Sequence, residues 1–228
     1  HYRATAHKTM DPMNQFDSAS IQIIGNVYDT LLSYHYLKRP YELVPNLAVS
    51  LPEVSSDGLT VTFTLRKGVM FHDDPCFPEG KGRELVADDV IYSIKRASDV
   101  NANPLTFPLL LKNRIVGLDD FHRASKKLGK GNVSYDIEVA GLKKIDSHKV
   151  AVVLTQRDPL VLTAFATSPL SIIPREAVEK YGDAFSRHPV GTGPFTIKVN
   201  SRRGEMIFSK NPKYHGKFPT EGQPEDKA

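Results

Sequence analysis

The sequence predicts an α/β fold, and three features carry that prediction. Residues 59–65 alternate strictly, so Leu59, Val61, Phe63 and Leu65 share one apolar face while threonines occupy the other, the pattern of a half-buried strand. Residues 18–37 and 86–98 instead repeat their apolar side chains at helical spacing. Strand-like and helix-like segments then alternate without any internal repeat, which argues against a helical bundle.

The chain of 228 residues is 40% hydrophobic and 25% charged with a formal net charge of +4, enough for one large or two modest cores. No run approaches the roughly 18 apolar residues of a membrane span. The opening "HYRATAHKTMDP" is polar and reads as no basic-then-apolar leader. The single cysteine, Cys76, excludes an intrachain disulfide. One locally basic stretch, "HRASKKLGKGN" (122–132), is Gly-rich and reads as a solvated, mobile loop. With no aromatic side chains among its lysines it offers no stacking platform, so nucleic acid is not an expected partner.

In chain order, 18–37 reads as one helix with Ile21, Ile24, Tyr28, Leu31 and Leu32 on its buried face, an N-cap from Asp17, Ser18 or Ser20, and Pro40 beyond its end. Asp57-Gly58 predicts a tight hairpin leading into the 59–65 strand. "VADDVIYSIKRAS" (86–98) predicts a helix with Val90, Ile91, Ile94 and Ala97 buried and acids in its first turn, where they suit the helix dipole. Residues 99–132 read as irregular. Two strands are expected within 141–155 about Asp146-Ser147-His148, then short helices at 158–167 and 175–182, the second closed by Gly182. "PFTIKV" and "EMIFSK" predict a last hairpin.

Two motifs invite chemistry. His72, Asp73, Asp74 and Cys76 fall within five positions, and a cysteine- or metal-dependent hydrolase centred on His72 and Cys76 is the alternative function they raise. Pro75 and Pro78 stiffen the segment, which favours a polar connector whose carboxylates bond nearby backbone N–H groups. "VGTGPF" (190–195) resembles a phosphate loop only superficially. Gly191-Thr192-Gly193 leads into Pro194 and a β-type run rather than a helix N-terminus, so a tight crossover is the competing reading.

Taken in order, several segments resemble the family 5 extracellular solute-binding proteins of ABC importers, the oligopeptide- and dipeptide-binding type. The matching pieces are "TMDPMNQFDSASIQIIGNVYDTLLSY", "LVPNLAVSLPEVSSDGLTVTFTLRKGVMFHDD", "VADDVIYSIKR", "HPVGTGPFTI" and "NPKYHGK". Between the Phe-His-Asp and the next helix this chain carries a longer linker, "DPCFPEGKGRELVADD", with Val86 where relatives place a threonine cap. Family members are also much longer, so the chain resembles the N-terminal part only.

The resemblance implies a type II periplasmic-binding-protein-like α/β fold, here the first lobe with a mixed sheet, the second lobe lying outside this chain. It implies a discontinuous core domain, 1–40 with 145–228, and a smaller inserted domain, 41–144, that carries the hairpin. The implied task is capture of a short peptide or similar solute, without catalysis, metal or cofactor, and delivery to a membrane permease by a monomer in the periplasm or outside the cell. Implied ligand contacts are Gln15, Phe16, Asp17 and Ser18 in the loop between a first strand and the first helix, and Gly191, Thr192 and Gly193 on the cleft floor. For Asp17 and Ser18 the competing role is helix capping alone.

Overall fold

The computed structural model describes residues 8–15, 17–35, 37–102, 105–200 and 205–217. Helix α1 spans Ser18–Val27. Asp17 is its cap, accepting from the Ser20 amide at 2.8 Å and from Ser20 Oγ at 2.7 Å, which satisfies one of the free N–H groups at a helix start. The helix stops ten residues before the expected end at 37. Tyr28 is already extended, and the Val27 carbonyl accepts from the Gly193 amide at 2.9 Å. Tyr28, Leu31 and Leu32 stay buried on non-helical chain, and Leu32–Tyr34 forms strand β1, paired antiparallel with β2, Leu43–Pro45. Ile21, expected in the buried stripe, is 47% exposed; Ile23, Ile24 and Val27 face the core instead. Residues 8–15 form a 3-10 turn, Pro12–Asn14, rather than a strand.

The central sheet runs β3-β4-β6-β5, with β3 at Glu53–Val54, β4 at Thr60–Thr64, β5 at Leu142–Asp146 and β6 at Lys149–Val153. The hairpin at Asp57-Gly58 forms as expected, and Gly58 takes the positive φ its turn needs. All of these pairings are antiparallel, which corrects the expectation of a mixed sheet. Two of the three connections are hairpins, which can join only antiparallel neighbours. Register places Phe63 opposite Val150 and Val61 opposite Val152. The sheet also crosses the expected boundary at 144/145, since β4 comes from one side of it and β6 from the other.

Helix α2, Ala87–Ser98, lies against β5 and β6 and buries Val90, Ile94 and Ala97. Val86 has no side chain able to cap, but Asp89 Oδ2 accepts the Val86 amide at 2.9 Å. Arg83 forks between Asp89 and Glu176, tying α2 to α5, Arg175–Tyr181. Residues 99–132 are less irregular than expected. Helix α3, Leu118–Leu128, takes in most of the basic stretch read as a loop. It buries Leu118, Phe121 and Ser125, begins with Asp119 and Asp120, and ends with Lys126 and Lys127 before Gly129 at positive φ, an arrangement that suits the helix dipole. Helix α4 is a single turn, Val161–Ala164. Strands β7, Phe195–Asn200, and β8, Glu205–Lys210, form the last hairpin.

One continuous core joins these elements, and Phe63 stacks edge-on against Phe165 at 5.0 Å near its centre. Replacing Phe63 by alanine is expected to cost about 3–5 kcal/mol in urea unfolding. Ile145→Thr, on the exposed side of β5, should stay within about 0.5 kcal/mol.

Candidate functional site

The loop before α1 is held by residues far from it in sequence. Met10 donates its amide to the Ser186 carbonyl at 2.8 Å, and Thr106 Oγ1 donates to the Met13 carbonyl at 3.2 Å. Asp11 caps the Pro12–Asn14 turn through the Met13 amide and meets the guanidinium of Arg96, from the last turn of α2, in a two-pronged contact of 3.0 and 2.7 Å. Gln15 is buried. Its Nε2 donates to Ser168 Oγ, while its Oε1 has no partner among the described residues. Asp17 is committed to the helix cap, and the bond from the Ser20 amide holds its carboxyl below the usual range. Ser18 is exposed at the first position of α1. Phe16 lies outside the described residues.

Gly191, Thr192 and Gly193 lie across the end of α1. A Cβ on Gly191 would sit 2.2 Å from the Val27 carbonyl oxygen, and one on Gly193 would sit 2.6 Å from the Val27 carbonyl carbon. Both positions therefore admit only glycine without backbone movement. All three residues are buried and engaged within the chain. Thr192 Oγ1 donates to Asp29 Oδ2 at 2.8 Å, the oxygen that His215 Nε2 also meets at 3.2 Å. Asn46 Nδ2 takes the other Asp29 oxygen at 3.2 Å. No sequence feature singled out Arg96, Asp29, Ser168 or His215. A carboxylate and its partner 85 or 186 positions apart leave no local pattern.

His72 belongs to this crossing. Its Nε2 meets the Gly193 carbonyl at 2.9 Å, and its Nδ1 accepts from the Gly191 amide at 3.4 Å. Its own amide donates to the Gly191 carbonyl at 2.8 Å. This pattern calls for the neutral ring with the proton on Nε2. Burial pushes the His72 pKa down, against the smaller upward pull of the Gly193 carbonyl.

The rest of the His72–Cys76 cluster is equally committed. Asp73 accepts from Lys213 Nζ at 2.5 Å and from the Gly82 amide at 2.9 Å. Asp74 Oδ1 accepts from the Cys76 amide at 2.8 Å and from the Tyr181 hydroxyl at 2.7 Å. Burial, reinforced by Asp74, pushes the Cys76 thiol up to about 12, the opposite of an activated nucleophile. His72 bonds glycine backbone rather than the thiol. Among the described residues no three His, Cys, Asp or Glu side chains converge as metal ligands would. The hydrolase alternative has no support here, and the segment is a connector.

The cavity of about 750 Å³ between α2 and α5 lies away from the loop, and Arg83 and Arg175 on its wall are paired with Asp89, Glu176, Asp136 and Glu179.

A family model described as bacterial extracellular solute-binding proteins, family 5 middle, matches residues 42–224. The dipeptide-binding protein of Escherichia coli (strain K12) is 33% identical over 190 residues, which make up 78% of this chain and 31% of that protein. The periplasmic binding protein DppA from Helicobacter pylori, solved in complex with the peptide STSA, superposes with a TM-score of 0.68 at 27% identity, over 92% of this chain and 38% of that one. Listeria monocytogenes OppA bound to peptide has a TM-score of 0.75 at 19% identity, over 93% of this chain and 38% of that one, a likeness of fold. The chain thus spans about a third of the length of the curated relatives it matches.

Two outcomes are expected. Because the folded His72 pKa lies below the ordinary value of 6.5, the stability it contributes is full above about pH 6.5 and is lost as pH falls toward its folded pKa. His72→Gln should lower stability at pH 7.5 by about 1–3 kcal/mol, since the Gly191 amide loses its acceptor, and should flatten the decline from pH 7 to 5 in thermal melts. The Cys76 thiol should react with a disulfide reagent at pH 8 more than about a hundredfold slower than free cysteine.

Proposed function

This chain belongs to the bacterial extracellular solute-binding proteins of family 5, and on that premise we propose that it captures a short peptide or similar small solute for a membrane permease of an ABC importer. The observation that carries this reading is the fold shared with peptide-bound DppA over 92% of the chain at 27% identity. The protein works in the periplasm or, in a cell without one, outside the membrane. It acts as a monomer, and its task breaks no bond.

The ligand meets the loop Gln15, Phe16, Asp17 and Ser18 at the entrance to α1. Extended peptides are held by strand-like backbone hydrogen bonds, with side chains accommodated separately. Within the loop, Gln15 retains hydrogen-bonding capacity, because its Oε1 is buried without a partner among the described residues. A buried acceptor left unmatched is costly, which favours a small opening of the loop that lets a peptide N–H reach it. Gly191, Thr192 and Gly193 contribute indirectly, by fixing where α1 ends and hence how its entrance is aimed. A second lobe closes over the bound peptide, and the ligand favours the closed form by touching both faces.

Calorimetry of the intact protein that carries this chain, against di-, tri- and longer peptides, tests the reading. Saturable binding of at least one class is expected, weakened about tenfold by Gln15→Ala, the range for a lost hydrogen bond in a buried site. Folded protein that binds no peptide in the set would contradict it.

A further inference from the structure

The loop assigned to the ligand takes its orientation from α2. Arg96 and Asp11 are 6% and 3% exposed, and each carboxylate oxygen of Asp11 serves two partners. Oδ1 accepts from Arg96 Nη1 at 3.0 Å and from the Met13 amide at 3.2 Å. Oδ2 accepts from Arg96 Nη2 at 2.7 Å and from Asn14 Nδ2 at 3.0 Å. The carboxylate plane is therefore fixed on one side by the guanidinium fork and on the other by the turn itself. Arg96 Nη1 also lies 3.2 Å from Met13 Sδ, and the guanidinium carbon sits 5.3 Å from the Phe185 ring centre. Among the described residues, Thr106, Ser168 and Ser186 also tether the loop, through uncharged bonds.

A buried ion pair of this kind adds little net stability compared with apolar packing of the same volume. Its distinctive product is geometry, since a planar fork specifies distance and angle together where an ammonium specifies neither.

We propose that Arg96 is a positioning residue for ligand binding: through Asp11 it sets the placement of residues 11–15 on α2, so affinity depends on a side chain the ligand does not touch. This rests on the assignment of the ligand to that loop.

The test uses the intact protein with Arg96→Lys, Asp11→Asn and a control, Arg83→Lys, which loosens the other guanidinium network on α2 without touching the loop. Amide hydrogen exchange is read over residues 11–20, affinity for tri-alanine by calorimetry, and stability by thermal melting. Arg96→Lys and Asp11→Asn should speed exchange over 11–20 and weaken tri-alanine binding about tenfold, the scale of lost preorganisation. Arg83→Lys, at a comparable loss of Tm, should do neither. Unchanged exchange at 11–20 in Arg96→Lys, or equal weakening in Arg83→Lys, overturns the proposal. If Arg96→Lys does not fold, Asp11→Asn, which keeps a cap oxygen for the Met13 amide, decides alone. If the wild-type protein gives no heat with tri-alanine or longer peptides, the peptide reading fails, and the exchange data still decide whether Arg96 positions the loop.

Discussion

Where residues 191–193 cross the end of α1, backbone packs directly on backbone, and much of the fold is arranged around that contact. The Val27 carbonyl leaves no room for a side chain at either glycine and takes the Gly193 amide in place of a further helical turn. The crossing ends α1, seats the neutral ring of His72 between two glycine peptides, and hands Thr192 to the buried carboxylate of Asp29. Asp29 in turn receives Asn46 and His215, so four distant segments meet at one point. The side chains of His72, Thr192 and Asp29 all find partners there, as burial demands.

A second set of constraints works from α2. Its two ends carry guanidinium networks with different tasks: Arg83 joins the helix start to α5, and Arg96 joins its last turn to the loop before α1. The entrance to α1 is thus held from both sides, by α2 at the loop and by the glycine crossing at the far end of the helix. A loop held this way is preorganised, so if it receives a ligand, less ordering is left to be done on binding.

Much of this architecture was legible in the sequence. Strict alternation identified β4, the Asp57-Gly58 pair its hairpin, and helical spacing of apolar residues with acids in the first turn identified α2. The same signals failed where tertiary contacts override local pattern. The apolar spacing through Tyr28, Leu31 and Leu32 continues the period of α1, yet those residues are buried on non-helical chain because the crossing stops the helix. Helix α3 was hidden by its lysines and by Gly129 and Gly131 just beyond it, although its acidic first turn, basic last turn and Gly129 stop were present in the sequence. At the site, the loop before α1 was visible as a cap with neighbouring polar residues. The partners that hold it were not, since Arg96 reads locally as a charge suited to a helix end. The His72–Cys76 cluster looked like chemistry because proximity in sequence is easily mistaken for convergence in space, and its side chains in fact bond outward to Gly191, Gly193, Lys213 and Tyr181.

On the proposed function, the entrance to α1 receives the ligand while the glycine crossing fixes the far end of the helix. A crystal structure of the intact protein grown with a bound short peptide tests this most directly. Peptide backbone is expected within hydrogen-bonding distance of residues 15–18, with Gly191, Thr192 and Gly193 still engaged by His72, Asp29 and Val27. A peptide bound elsewhere on the lobe, with residues 15–18 untouched, would contradict it.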